Sequence, residues 1–206
     1  VNTLRGSNRK GINRVYWNLR HYPATEARLR TKPPGNPHVV EEKRFHQLWE
    51  REGWYPILSW GTSGGFRGFL VSPGTYTVKM EVGEREFVQT LTVKKDPRSE
   101  GTLEDIKAQE NMQKEIRKAL NSVSEKISQI EWMRKQLYSI RDMVKETGGS
   151  AEVLGRIADF DLKLRSIEDE LFQPIIAEGD SKSFRYPQKL YCKLSVLAGD
   201  VGGSVD

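Results

Sequence analysis

Cysteine is almost missing from this chain: Cys192 is the only one among 206 residues. That excludes an internal disulfide framework and a zinc site built on thiolates. Long apolar runs are missing too. None approaches the roughly 18 residues of a membrane-crossing helix, so no membrane span is expected. Histidine is scarce, with only His21, His38 and His46. His38 and His46 with Glu41 or Glu42 match no ligand spacing, and no metal site is expected. No G-x-S-x-G, H-E-x-x-H, P-loop or dinucleotide fingerprint occurs. The run Gly61-Thr62-Ser63-Gly64-Gly65 lacks the lysine and the following helix that a phosphate loop needs. No pairing of acid, base or nucleophile stands out. Neither an enzyme nor a cofactor is expected. The polar, basic start from Val1 has no leader pattern and reads as a mature product or an excised piece.

What is present is polar but able to fold. Hydrophobic residues make up 36% and charged residues 30%, which excludes wholesale disorder. The net charge of +5 is unevenly placed. Residues 1–70 hold 12 Lys/Arg against 5 Asp/Glu, and residues 102–206 hold 16 against 18. A basic end can meet phosphate, an acidic surface or an acidic partner, and it is also what an ordinary solvated face looks like. No nucleic-acid-binding motif accompanies it, so no nucleic-acid partner is expected.

Composition changes near residue 100. From Thr102 to Thr147 there is no Gly and no Pro, while four of the five tryptophans lie before residue 100. The chain divides into a β module over 1–97, a helical module over 102–200 and a tail over 201–206. In the β module, Val15, Trp17 and Leu19 alternate with polar residues, as a half-buried strand requires. Tyr76, Val78, Met80 and Val82 share a second alternation after the turn signal Pro73-Gly74. Gly83 suits a hairpin turn, and Phe87, Leu91 and Val93 lie on the returning strand. Val1 to Leu4 offers a fourth strand. Short antiparallel strands of this kind predict an Ig-like or fibronectin-like sandwich.

A long insertion, residues 21–70, interrupts this module. It carries a short helix expected at Glu41 to Glu52 and the rings Trp49, Trp54, Tyr55 and Trp60. Such rings build a small core under their own loop, dock another protein domain, or stack on sugar faces.

The helical module predicts a long antiparallel hairpin with a third short helix. Ile116, Leu120, Val123, Ile127 and Ile130 follow 4,3,4,3 spacing. Met133, Leu137, Ile140 and Val144 resume it after one extra step of three, a stammer in a coiled-coil-like stripe. Thr102 is placed to cap the first helix, with Glu104 and Asp105 in its first turn. Gly148-Gly149 stops it and Ser150 caps the second, whose stripe is Leu154, Ile157, Phe160, Leu164, Ile167 and Leu171. Gln188 to Leu197 forms the third. The first stripe outlasts the second, so Ile106, Met112, Ile116 and Leu120 are expected to face the β module or another chain. Self-association of the chain is one outcome.

Three stretches, read together, resemble a known family. They are Gly11-Ile12-Asn13-Arg14-Val15-Tyr16-Trp17-Asn18-Leu19-Arg20, Pro73-Gly74-Thr75-Tyr76-Thr77-Val78 and Leu91-Thr92-Val93-Lys94-Lys95-Asp96-Pro97-Arg98. With Phe184-Arg185-Tyr186-Pro187-Gln188-Lys189-Leu190 near the end, they look like the C-terminal region of bacterial proteins that carry a sortilin-like, BNR-repeat β-propeller. Such proteins are often labelled glycosyl hydrolases. The first two stretches also resemble the Ig-like domain of flagellar hook-capping proteins. Asn18 stands where that family usually has Asp. The resemblance implies export to the periplasm, envelope or exterior, and a propeller or another domain as partner. The family's functional residues belong to the propeller, so it implies no catalytic residue here. Two function classes remain: a non-catalytic structural and interaction module, or a carbohydrate-binding accessory module using the Trp-rich insertion.

Overall fold

A computed structural model describes residues 2–32, 51–57, 67–174 and 186–203. Among these residues the elements described are, in order, β1 (Arg28–Leu29), β2 (Tyr55–Pro56), β3 (Gly74–Val82), β4 (Arg85–Val93), α1 (Leu103–Glu146), α2 (Ala151–Leu171) and α3 (Leu190–Val201). The strands make two separate two-stranded antiparallel sheets, β1–β2 and β3–β4. By compactness the chain divides into two units. One comprises 1–23, 67–117 and 198–206, the other 24–66 and 118–197. Each therefore draws on both sides of residue 100.

Among the described residues the expected Ig-like sandwich is not formed, and the fold class is corrected to helices with two small antiparallel sheets. Only the β3–β4 hairpin appears as expected, closed at Gly83 with φ +60°. The stretch around Val15, Trp17 and Leu19 carries the period of a strand and finds no ladder to join. Its one pairing among the described residues is the isolated bridge Arg20–Leu70, supported by His21 N–H to Phe69 O and Val71 N–H to Leu19 O, both 2.9 Å. Leu19 adopts φ +56°, rare for a branched side chain. Asn18 Oδ1 accepts the Arg20 N–H at 3.2 Å and closes a local turn that competes with extension. Residues 2–4 form no strand either.

The helices form where spacing and caps place them. Thr102 and Asp105 cap α1 reciprocally: the Thr102 hydroxyl accepts the Asp105 N–H at 3.1 Å and Asp105 Oδ2 accepts the Thr102 N–H at 3.1 Å. At its far end Gly148, φ +68°, lets Gly149 N–H reach Val144 O at 2.8 Å and Gly148 N–H reach Lys145 O at 3.3 Å. That is the paired closure of a left-handed helix stop. Ser150 Oγ then accepts the Glu152 N–H and starts α2. With 44 residues, α1 extends about 66 Å at 1.5 Å per residue.

In the second unit, the core lies along the middle of α1. Leu120, Val123, Ile127 and Ile130 are buried, with Ala27, Leu29, Tyr55 and Ile57 from the insertion, Leu164 from α2 and Tyr191 and Cys192 from α3. The insertion is thus in part a structural strand laid on the helix. Its extended segment 25–31 runs parallel to α1, and a polar stripe on α1 catches its backbone. Asn121 Oδ1 accepts the Thr25 N–H, Ser128 Oγ the Arg28 N–H, and Glu131 the N–H groups of Arg30 and Thr31. Ser124 Oγ returns a bond to Thr25 O at 2.7 Å. A segment with so little sheet pairing satisfies its amides on helix side chains instead.

The α1–α2 seam has no stammer. Arg134, four residues after Ile130, occupies the next core position, while Met133 is exposed. On α2 the buried positions are Leu164 and Glu168, and Phe160 and Ile167 point to solvent. The 3/4 spacing continues unbroken through charged residues.

Candidate functional site

The β3–β4 hairpin is amphipathic by register. Tyr76 opposes Leu91, Met80 opposes Phe87 and Gly74 opposes Val93, with Val78 and Val82 on the same side. The other side is Thr75 opposite Thr92, Thr77 opposite Thr90, Lys79 opposite Val88 and Glu81 opposite Glu86. Lys79 Nζ bridges Glu81 and Glu86 across this polar face, at 3.0 and 2.8 Å. Yet the apolar face is uncovered: Val78 is 47% exposed, Met80 52%, Val82 58% and Phe87 48%. Among the described residues, those that tie the hairpin down do so at its foot. There Tyr76 meets Trp17 edge to face at 5.6 Å and donates its hydroxyl to Ser72 O. Two-stranded sheets are marginal in water by themselves, so an apolar face of this kind calls for a cover.

Behind that foot, still in the first unit, is a buried polar centre. His21 Nε2 donates to Glu110 Oε1 at 2.8 Å, Lys114 reaches the same oxygen at 3.0 Å, and Ser72 N–H donates to Oε2 at 3.3 Å. Burial alone would raise the Glu110 carboxyl. The donors from Ser72, Lys114 and His21 outweigh it and hold the group at about 2. His21 is likewise shifted below its ordinary value, chiefly by burial and against the pull of Glu110, which for an imidazole favours the neutral form. The two shifts fit one state: neutral imidazole donating to a carboxylate that already has its cation in Lys114. The His21 ring stacks on Phe69 at 4.5 Å, and Arg117 covers that ring at 5.2 Å. The centre clamps residues 21 and 69–72 onto α1 by side chains that are already engaged.

A second centre lies at the seam of α1 and α2. Arg134 donates to Glu131 Oε1 at 2.9 Å, Glu168 Oε2 at 2.6 Å, Asp161 Oδ1 at 2.9 Å and Tyr138 Oη at 2.8 Å. Glu131 also accepts the Thr31 N–H and the Thr31 hydroxyl, each at 2.8 Å. Burial, with the negative charge of Glu131 beside it, pushes the Glu168 carboxyl up to about 8 against the pull of Arg134. Among the described residues its Oε1 has no hydrogen-bond partner, a loss that costs a buried carboxylate more than the carbonyl oxygen of a neutral acid. Arg134 is raised: burial would lower it, and the charges of Glu168 and Glu131 more than offset that. One guanidinium thus serves three carboxyls, of which Glu168 is held in its neutral form.

The sequence-selected rings fall differently. Trp54 and Tyr55 are buried. Trp54 lies under the Arg28 guanidinium at 4.8 Å and donates to Glu52 Oε2, while the Tyr55 hydroxyl donates to Thr31 O. Trp49 and Trp60 lie outside the described residues, as do His38, His46, the 61–65 glycine run and most of the expected helix at 41–52. Along α1, Ile116 and Leu120 are buried, Ile106 is half-buried and Met112 is exposed. α1 is bare at its end near the turn as well, where Ile140 and Met143 are exposed. The buried ionic residues Glu131, Arg134 and Glu168 were missed, because charged residues on helices read as solvated faces. Their signal is the 3/4 spacing itself, which reaches Arg134 from Ile130 and Glu168 from Leu164. Among the described residues no cluster of His, Cys, Asp or Glu is arranged to hold a metal ion. None of their helices is long and apolar enough to cross a membrane. Comparisons with known protein families, with curated proteins and with solved structures each find no match.

Proposed function

We propose that this chain is a non-catalytic docking module, the C-terminal accessory region of an exported bacterial β-propeller protein, and that the β3–β4 hairpin carries its docking face. The bare apolar face of the hairpin supports the docking reading. Covering the half-exposed side chains of Val78, Met80, Val82, Phe87 and Leu91, at about 1 kcal/mol each for the half still to be buried, is worth on the order of 5 kcal/mol. That compares with the whole stability of a small domain. The polar centres fit a structural role. Glu110, Glu131 and Arg134 each hold two or more partners that fix the backbone or another helix. The resemblance of residues 11–20, 73–78 and 91–98 supports the propeller protein as parent and export as its fate. The carbohydrate reading draws nothing from Trp54, whose ring is buried under Arg28.

The test is the double substitution Met80→Glu with Phe87→Glu. A sortilin-like propeller domain titrated calorimetrically with the wild-type chain should bind, and the double variant should not, while helical melting stays unchanged. Without partner, the β3–β4 amides should exchange with solvent far faster than those of mid-α1. Hairpin amides as protected as those of α1 in a monomeric chain would show that the face needs no cover. Binding that survives the double substitution would move the docking site elsewhere.

A further inference from the structure

The second unit holds a cavity whose charge the docking role does not use. Its volume is about 440 Å³, within the range of small-molecule sites. Lys135 and Arg141 come from α1, Arg165 from α2, and Arg30 and Lys32 from the extended segment, around one carboxylate, Asp142. That carboxylate is already held by Arg141 at 2.8 Å. Arg165 makes no hydrogen bond or ion pair with any described residue. Arg30 and Lys135 rest on the Trp132 ring, at 4.6 and 5.3 Å. A cation stacked on a ring keeps its in-plane N–H donors available; Arg30 spends one, on Nη1, on Arg28 O at 2.8 Å, and its other guanidinium donors remain for an acceptor in the cavity. Burial and the neighbouring Arg28 shift the Arg30 guanidinium below its ordinary value, so positive charge gathers here at an energetic cost.

The cations are on three separate segments, so the cluster is assembled by the fold and is no mere run of sequence. Guanidinium forks match phosphate oxygens two at a time, and a concave wall of one sign concentrates multivalent anions. We infer that this cavity binds a compact polyphosphate, a small molecule bearing two or more phosphate groups, between Arg30, Lys135 and Arg165. The phosphates come either from an inorganic chain or from a phosphorylated sugar. Arg141 stays with Asp142 and closes one side of the cavity.

The experiment titrates the whole chain with inorganic tripolyphosphate and, separately, with fructose 1,6-bisphosphate, by calorimetry and by tryptophan emission. Trp132 lies under two of the binding cations, so its emission should change on saturation. Replacing Lys135→Gln together with Arg165→Gln should weaken binding by about 30-fold or more, since two charge-assisted contacts are lost, and should flatten the salt dependence. Arg9→Gln with Lys10→Gln removes the same charge from exposed residues outside the cavity and should leave affinity within about twofold. All four side chains leave the buried core untouched, and circular dichroism checks that each variant folds. The tighter of the two ligands identifies the source of the phosphates. No saturable binding of either up to about 1 mM, or equal weakening in both double variants, overturns the site.

Discussion

Glu131 should be the most costly single side chain of the second unit to remove. It is 1% exposed and accepts from four groups: the backbone N–H of Arg30, the N–H and hydroxyl of Thr31, and Arg134. Glu131→Ala leaves two backbone donors and one hydroxyl without an acceptor, each worth about 1–3 kcal/mol if it stays dry. It also strips one carboxylate from a buried guanidinium, and breaking such a pair costs about 3–5 kcal/mol. These losses do not add, because water can enter the space left by the side chain and Arg134 keeps Asp161 and Glu168. A net loss of about 4 kcal/mol is expected, below the plain sum of about 6–14 kcal/mol. Urea unfolding followed by circular dichroism reads it directly. With a slope near 2 kcal/mol per molar, the midpoint should fall by about 2 M. Glu131→Gln keeps one acceptor oxygen and turns an amide toward the remaining donors, so it should fall between wild type and alanine. A midpoint within about 0.5 M of wild type for the alanine variant, or equal small losses in both, would refute the view that Glu131 holds the extended segment on α1.

Glu168 carries a pH signature with a definite sign. Its folded value of about 8 is above the ordinary 4.5, so the stability it contributes is full below pH 4.5 and is lost as pH rises toward 8. Glu168→Gln, an amide that mimics the neutral acid, should match wild type near pH 4.5 and become more stable than it, by a few kcal/mol, by pH 8; a wild-type-minus-variant difference that is flat with pH would show that Glu168 is ionised throughout. Gly68→Ala should unfold the first unit locally. A Cβ there would lie 1.7 Å from His21 O, forcing apart the bridge that Arg20 Nη1 makes to Gly68 O and His21 N–H makes to Phe69 O. The expected loss is about 2 kcal/mol or more for two hydrogen bonds, read as faster amide exchange at His21 and Val71; unchanged exchange there would show that the loop gives way freely.

The helical part was legible because its signals are local. Thr102, Gly148 and Ser150 sit at the positions where N–H and C=O groups run out of helical partners, and each residue type answers one of those needs. The hairpin was legible for the same reason, its alternation and Gly83 turn lying within twenty residues. The sandwich was not, since alternation in Val15, Trp17 and Leu19 states that a face is half-buried and leaves open what buries it. Here Trp17 meets Tyr76 and Leu19 turns the chain at positive φ. A period is necessary for a strand, and a neighbour with free backbone groups is necessary as well.

The candidate sites resisted sequence reading for a deeper reason: they are made by pairs far apart in the chain. Glu131 is 100 residues from Thr31, and Glu110 is 89 from His21. On a helix, a buried carboxylate and a solvated one have the same letter and the same neighbours. What separates them is whether an extended segment arrives with unpaired amides. The stripe Asn121, Ser124, Ser128 and Glu131 keeps 3,4,3 spacing beside the apolar stripe Leu120, Val123, Ile127 and Ile130. A polar stripe in phase with an apolar one is poorly explained by solvation, which asks for no period at all. It is well explained by a long straight partner that needs an acceptor every few residues, which is what residues 25–31 are. The same test applied to α2, where Asp161, Leu164 and Glu168 stand 3 and 4 apart, points to the buried ionic seam. Periodic polar residues on a long helix therefore mark where the rest of the chain lies down.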